Sequence, residues 1–171
     1  MYKLALRLDV GSQAEGFTLN DHGGKPVKLS DNIGKNIVLL TFYTGGFDRE
    51  SMKYLIMLRD NYQKLKEMGV DVTAVTPEMP QKAGGTVRSL QLPFNVLSDP
   101  ELKVAKQYDV YDPVAEWCYP AAFIIDRNGI IQYVFRGVSP PNTPPVPYLL
   151  KKFEEMAKKD QETGAGTATA K

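Results

Sequence analysis

A nearly unbroken apolar run predicts a buried strand, and the segment after it predicts a helix. Residues 37–43 read Ile-Val-Leu-Leu-Thr-Phe-Tyr, the pattern of a strand covered on both faces in a parallel sheet. From Arg49 to Met68 apolar residues recur every three or four positions, and Gly69 stands where a helix usually ends. Residues 70–76 predict the next strand, so the unit is strand, helix, parallel strand.

The patterns on either side of this unit predict two hairpins and three more helices. Residues 17–29 predict a hairpin around a glycine turn, and residues 122–135 predict another around Asn128-Gly129. Further helices are predicted at residues 81–90, at residues 98–108 and after a proline-rich stretch at residues 139–147.

This order of elements is typical of a thioredoxin-like fold, an α/β architecture with a central mixed sheet, flanking helices and here an N-terminal β-hairpin. At 171 residues the chain fits one domain, which we place at residues 1–159. Residues 160–171 carry no large apolar side chain, so we expect a disordered tail there. Order of elements alone does not define a function.

Charge and cysteine content narrow the classes of function. Lysine and arginine number 21 against 20 aspartates and glutamates, so no net field favours nucleic acid or an anionic membrane. We expect neither a membrane span nor a signal peptide, because charged residues interrupt every apolar stretch of sufficient length. One cysteine, Cys118, excludes an intramolecular disulfide and favours a reducing cytoplasm.

Cofactor and metal sites are not expected. The chain has a single histidine, His22, which makes a metal site improbable. Gly45 and Gly46 precede the predicted helix, but the lysine and hydroxyl residue of a P-loop do not follow at the required spacing. These glycines are better explained by the strand-to-helix turn.

Four local motifs taken together resemble the peroxiredoxin (AhpC/TSA, redoxin) family. They lie at residues 23–30, 38–47, 92–101 and 119–129, and their order and spacing are more specific than any one of them. The resemblance covers residues 11–156. It implies a thiol oxidoreductase with an antioxidant role that reduces peroxide, has a redox protein as partner and forms either a homodimer or a monomer.

The resemblance places the redox site at the start of the helix beginning at Arg49, after an active-site loop of Thr44, Gly45 and Gly46. One branch of the family reads F-Y-x-G-G-x-C-x-x-C here, and typical peroxiredoxins read P-x-x-x-T-x-x-C. Ser51 occupies the position of the attacking cysteine, and Asp48 occupies that of the other cysteine or of the threonine. A serine hydroxyl stays protonated and cannot form a sulfenic acid, so we expect no peroxide turnover.

Two interpretations of Asp48 and Ser51 stay open. Asp48 is a good helix N-cap, and no base stands nearby in the sequence to activate a hydroxyl, which favours capping over catalysis. Serine is also the usual isosteric trap for a reactive cysteine, so a cysteine codon at position 51 in the natural gene would favour the enzyme. We expect Ser51→Cys to introduce a peroxide-reactive thiol, because the helix N-terminus favours a thiolate, with a gain that Asp48 and the missing arginine at Pro120 reduce.

A second loop is expected to face this helix. Tyr119-Pro120 resembles the thioredoxin-fold loop whose cis-proline packs against the redox helix, so we predict a cis bond and a Ser51 hydroxyl close to the loop. Typical peroxiredoxins have an arginine near this point, which Pro120 replaces. Cys118 precedes the loop, and its aromatic neighbours favour an inert buried side chain over a resolving or substrate thiol facing Ser51.

Three functions fit these observations. The first is a peroxiredoxin-like thiol oxidoreductase by descent, trapped or degenerate at residue 51. The second is a non-catalytic redoxin-fold module that binds a partner. The third is a thiol protein that acts through Cys118 alone.

Overall fold

The centre of the fold is a seven-stranded mixed sheet, seen in a computed structural model that describes residues 8–168. The strands in this part of the chain are β1 (Thr18–Asp21), β2 (Pro26–Lys28), β3 (Ile37–Phe42), β4 (Val70–Thr76), β5 (Asn95–Ser98), β6 (Tyr111–Asp112), β7 (Trp117–Cys118), β8 (Ala121–Ile125) and β9 (Ile131–Arg136). The sheet order is β2-β1-β5-β4-β3-β8-β9, and β6 pairs with β7 separately. The three central strands β5, β4 and β3 run parallel, and the outer strands pair antiparallel.

Helices cover both faces of this sheet. They are α1 (Arg49–Asp60), α2 (Tyr62–Glu67), α3 (Pro80–Leu90), α4 (Lys103–Gln107) and α5 (Val146–Ala168), with a 3-10 turn at Leu29–Asp31. Alternate residues of β3 supply two separate cores, because successive side chains of a strand point to opposite faces. Leu39 packs in the cluster that includes residues of α1 and α5, whereas Leu40 packs in the cluster that includes residues of α4.

The predicted thioredoxin-like α/β fold is confirmed. All six residues of β3 are buried, as the apolar run predicted for a strand covered on both faces. β3 and β4 are parallel neighbours, and β1 and β2 form the N-terminal hairpin. The β6–β7 pair was not predicted, since strands of two residues carry no periodic pattern.

Two predicted helices have different bounds in the structure. The helix predicted from Arg49 to Met68 is interrupted at Asn61, whose side-chain amide donates to the Met57 carbonyl at 2.8 Å and so caps α1. The helix predicted from residue 98 begins only at Lys103, because the Asp99 carboxylate accepts bonds from three backbone amides of its first turn.

The last helix extends further than the sequence suggested. α5 continues through Ala168, so residues 160–168 are helical where we expected a disordered tail, and residues 169–171 lie outside the described part. Asp160 forms an ion pair with Arg127, next to the end of β8, which ties this part of the helix to the domain. Within residues 8–168 the structure has no helix long and apolar enough to cross a bilayer.

Candidate functional site

The N-terminus of α1 follows β3 by way of a short loop and is closed by a side-chain cap. Asp48 is the N-cap residue with an extended backbone, and its carboxylate accepts a hydrogen bond from the Ser51 amide at 3.2 Å. The Ser51 hydroxyl donates to the same carboxylate oxygen at 2.6 Å. Ser51 is fully buried. The predictions that Ser51 lies in the first turn and that Asp48 caps the helix are both confirmed.

This cap is a poor place for a nucleophile. An anion at the Ser51 side chain would face the Asp48 carboxylate across 2.6 Å, and a like charge at that distance raises the pKa of the group it faces. The two cavities beside the β3–α1 loop are lined by Thr44, Phe47 and Met52 among others, but not by Ser51. Neither of these two cavities therefore gives a substrate access to the hydroxyl.

The glycines of the active-site loop are required by close contacts. A Cβ on Gly45 would lie 2.5 Å from the Phe47 ring, and one on Gly46 would lie 2.7 Å from the Thr86 hydroxyl oxygen. The Gly46 amide donates to the Glu78 carboxylate at 2.9 Å. Neither glycine has a positive φ, so they serve the predicted strand-to-helix turn through small size.

The two loops expected to face each other are in contact. The Thr44 hydroxyl donates to the Cys118 carbonyl at 3.1 Å, and the Cys118 thiol donates to the Tyr43 carbonyl at 3.2 Å. The Phe47 and Trp117 rings stack with centroids 6.4 Å apart. These contacts come from the β3–α1 loop, whereas the Ser51 hydroxyl is directed to Asp48.

The prediction of a cis bond at Tyr119-Pro120 is wrong. Among residues 8–168 no peptide bond is cis, and the trans form is the lower in energy before proline. The Pro120 carbonyl accepts from the Gly137 amide at 2.7 Å, so the trans backbone is tied to the segment after β9. The Tyr119 hydroxyl donates to Asp112 at 2.7 Å, which turns this side chain toward the β6–β7 hairpin.

Cys118 is a buried free cysteine, as predicted. Burial raises the pKa of its thiol, and the negative charge of Asp99 raises it further. A thiol with a raised pKa is a weak nucleophile at neutral pH because the thiolate is the attacking form.

A cleft beside the β3–α1 loop was not predicted from the sequence. A cavity of about 360 Å³ lies between the β3–α1 loop, the β4–α3 turn and the β6–β7 hairpin. Glu78 and Met79 of the β4–α3 turn line it. Glu78 lies two residues after the end of β4. The carboxyl ends of adjacent parallel strands meet at one edge of a sheet, and this is the signal that could have revealed the cleft. Within residues 8–168 no group of three histidine, cysteine, aspartate or glutamate residues is placed to hold a metal ion.

The order of strands and helices is that of a protein with a thioredoxin-like fold. The sequence model of the AhpC/TSA family matches residues 10–134, and the chain belongs to that family.

Named relatives and solved structures agree with this family. The putative peroxiredoxin bcp of Haemophilus influenzae is 33% identical over 134 residues, which is 75% of this chain and 86% of the relative. Chloroplastic peroxiredoxin Q of Sedum lineare is 31% identical over 74% of this chain and 68% of its own length. The crystal structure of Enterococcus faecalis AhpC has the same fold, with a TM-score of 0.80 at 19% identity, covering 89% of this chain and 94% of that one.

Proposed function

We propose that this chain is a peroxiredoxin-fold protein that does not reduce peroxide and that acts by binding a partner. The observation that carries the proposal is the hydrogen bond from the buried Ser51 hydroxyl to the half-buried Asp48 carboxylate, 2.6 Å long. It occupies the position to which the family resemblance assigns the attacking sulfur. A serine there lacks the sulfur that attacks a peroxide.

Three departures from the family pattern favour a natural loss of peroxide reduction over a single cysteine-to-serine substitution introduced into an active enzyme. Ser51 replaces the attacking cysteine, Asp48 replaces the threonine and Pro120 replaces the supporting arginine. A cysteine-to-serine trap changes one of these positions only. Asp48 caps the N-terminus of α1. Its carboxylate accepts a hydrogen bond from a serine hydroxyl at position 51 but would repel a thiolate there.

Cys118 is a weak substitute for the missing thiol. Its side chain is buried, its thiol is hydrogen-bonded to the Tyr43 carbonyl, and burial raises the pKa of that thiol. These features disfavour a thiol protein that acts through Cys118 alone.

The proposed location is the cytoplasm, and the proposed partner is a protein. A single reduced cysteine supports the cytoplasmic location, since an oxidising compartment would favour disulfides. A net charge of +1 supports a protein partner, because it favours neither nucleic acid nor an anionic membrane.

A peroxide assay tests the proposal. The unmodified chain and its Cys118→Ser variant are mixed with hydrogen peroxide and a thiol reductant in a stopped-flow instrument. We expect both to consume peroxide no faster than the reductant alone. Turnover by the unmodified chain that disappears in Cys118→Ser would assign the chemistry to Cys118 and contradict the proposal. Turnover that persists in both would contradict it as well.

A further inference from the structure

The cavity beside the active-site loop, here called the Phe47–Trp117 cleft, collects apolar side chains from three separate loops. Phe47 is 71% exposed and Met79 is 59% exposed, and both line the cleft. Ala115 and Trp117 of the β6–β7 hairpin also line it. Two of the seven exposed large apolar side chains among residues 8–168 thus line one cavity of about 360 Å³. Such clustering marks a contact surface, whereas scattered exposed apolar residues do not.

The two aromatic rings of the cleft pack against each other. Phe47 stacks on Trp117 with an angle of 26° between the ring planes. Gly45 allows this arrangement, because a Cβ there would collide with the Phe47 ring. The Trp117 indole nitrogen is buried and has no acceptor among the described residues. The two rings therefore line the cleft as a stacked pair, and the indole nitrogen is not part of its exposed surface.

The charged groups of the cleft are mostly acidic. Glu78 and Glu116 line it together with one cation, Lys82. None of these three side chains forms an ion pair with a residue of the described part of the chain. The balance favours a ligand that brings positive charge.

We propose that the Phe47–Trp117 cleft docks an extended segment of another protein, one with large apolar side chains flanked by lysine or arginine. The apolar side chains fill the space between Phe47 and Met79, and the flanking cations face Glu78 and Glu116. This inference rests on the proposed function, since it gives the retained fold a binding task that needs no reactive thiol. A second copy of this chain fits less well, because a symmetric contact would bring the same acidic set of both copies together.

The experiment uses three matched probe peptides and the fluorescence of Trp117, the only tryptophan of the chain. The first probe is acetyl-Gly-Lys-Leu-Leu-Lys-Gly-amide. The second has glutamate in place of both lysines, and the third has serine in place of both leucines. We expect the first to change the Trp117 emission and to bind about tenfold more tightly than the other two. Its affinity should fall as salt is added, because the charges are at the surface.

Three variants localise the binding. Phe47→Ser should weaken the first peptide about tenfold, since it removes the most exposed ring of the cleft. Glu116→Lys should shift the preference toward the glutamate peptide. Met57→Ser is the matched control, because Met57 is also an exposed apolar residue, 42% exposed, but does not line the cleft. It should leave binding unchanged.

Several outcomes would overturn the inference. Equal affinity for the three peptides would contradict it. So would a Trp117 emission that no peptide changes at concentrations up to about 1 mM, since a dissociation constant of about 1 mM is the weakest that we expect for such a site. A dimer seen by sedimentation velocity and lost in Phe47→Ser would assign the cleft to a second copy instead. The peroxide assay reports on the proposed function separately, so a failed docking test with no peroxide turnover leaves that proposal standing.

Discussion

Two neighbouring parts of the β3–α1 segment have opposite surroundings. The Ser51 side chain is buried and is hydrogen-bonded to the half-buried Asp48 carboxylate. One residue earlier, Phe47 is an aromatic ring that is 71% exposed and faces an open cleft. In a working thiol site the reactive group is accessible to its substrate. Here the residue at the reactive position is closed off, and an apolar residue that normally belongs inside is exposed.

The contrast separates a part of the molecule that stabilises the fold from a part that is available to bind a partner. The closed cap contributes to stability, because its donors and acceptor are all satisfied. The open cleft contributes surface for contact, because the Phe47 and Met79 side chains that line it are mostly exposed. Substitutions in the two parts should therefore separate stability from binding.

The largest expected contrast is between two thiols. Cys118 should react with a thiol reagent at least about a hundredfold more slowly than an exposed thiol placed on the cleft rim by Ala115→Cys in a Cys118→Ser background. Burial raises the pKa of the Cys118 thiol, so its rate should rise with pH without a plateau near neutrality. Reagent kinetics in native buffer and in denaturant give the comparison. Equal native rates for the two thiols would show that Cys118 is accessible.

Asp48→Ala should lower the free energy of unfolding by about 2 kcal/mol, since it removes the N-cap and leaves the buried Ser51 hydroxyl without its acceptor. Glu50→Ala is the matched control in the same turn, where the carboxylate forms only a surface ion pair with Lys53. It should change stability by less than about 0.5 kcal/mol. Urea unfolding measures both. Similar values for the two variants would show that the cap is not the stabilising element.

Tyr54→Phe should lower the free energy of unfolding by about 1 kcal/mol. The Tyr54 hydroxyl is buried 2.7 Å from the Thr41 hydroxyl, which itself donates to the Ala121 carbonyl, so the network joins α1, β3 and β8. Tyr148→Phe removes a hydroxyl from a side chain that is 48% exposed and should have almost no effect. A loss no greater than that of Tyr148→Phe would mean that the network adds no net stability.

Phe47→Ser should have the smallest effect on stability, within about 0.5 kcal/mol, because the ring is mostly exposed already. The same substitution should weaken peptide binding at the cleft. Thermal unfolding followed by circular dichroism measures the first quantity. A loss above about 1 kcal/mol would place Phe47 in the folded core and remove the distinction between cap and cleft.

The fold and the cap were predictable because their causes are local in sequence. The period of apolar residues in β3 and α1 predicted a central strand and a surface helix. Aspartate three residues before Ser51 predicted the cap, since an N-cap side chain bonds the third amide of its helix. The family resemblance was carried in the same way, by short motifs in a fixed order.

The edge of the sheet where the cleft lies could have been inferred from the ends of β3 and β4, but the contacts that shape the cleft could not, because their partners come from distant positions. The bond from Gly46 to Glu78 spans 32 residues, and the Phe47–Trp117 stack joins two loops without any periodic pattern. An exposed aromatic residue in a loop carries no signal that distinguishes it from a buried one. The trans bond at Tyr119-Pro120 depends likewise on a contact with Gly137, after β9.

The central claim is that Asp48 and Ser51 together have replaced a thiol site with a helix cap. Its most direct test compares Ser51→Cys with the double variant Asp48→Thr/Ser51→Cys, measuring the rate of hydrogen peroxide consumption at neutral pH. Because the Asp48 carboxylate would face the introduced thiol and raise its pKa, we predict that the single variant reacts no faster than free cysteine. The double variant should react about tenfold faster than the single one. A single variant that already reacts far faster than free cysteine would show an intact peroxidase site and contradict the account.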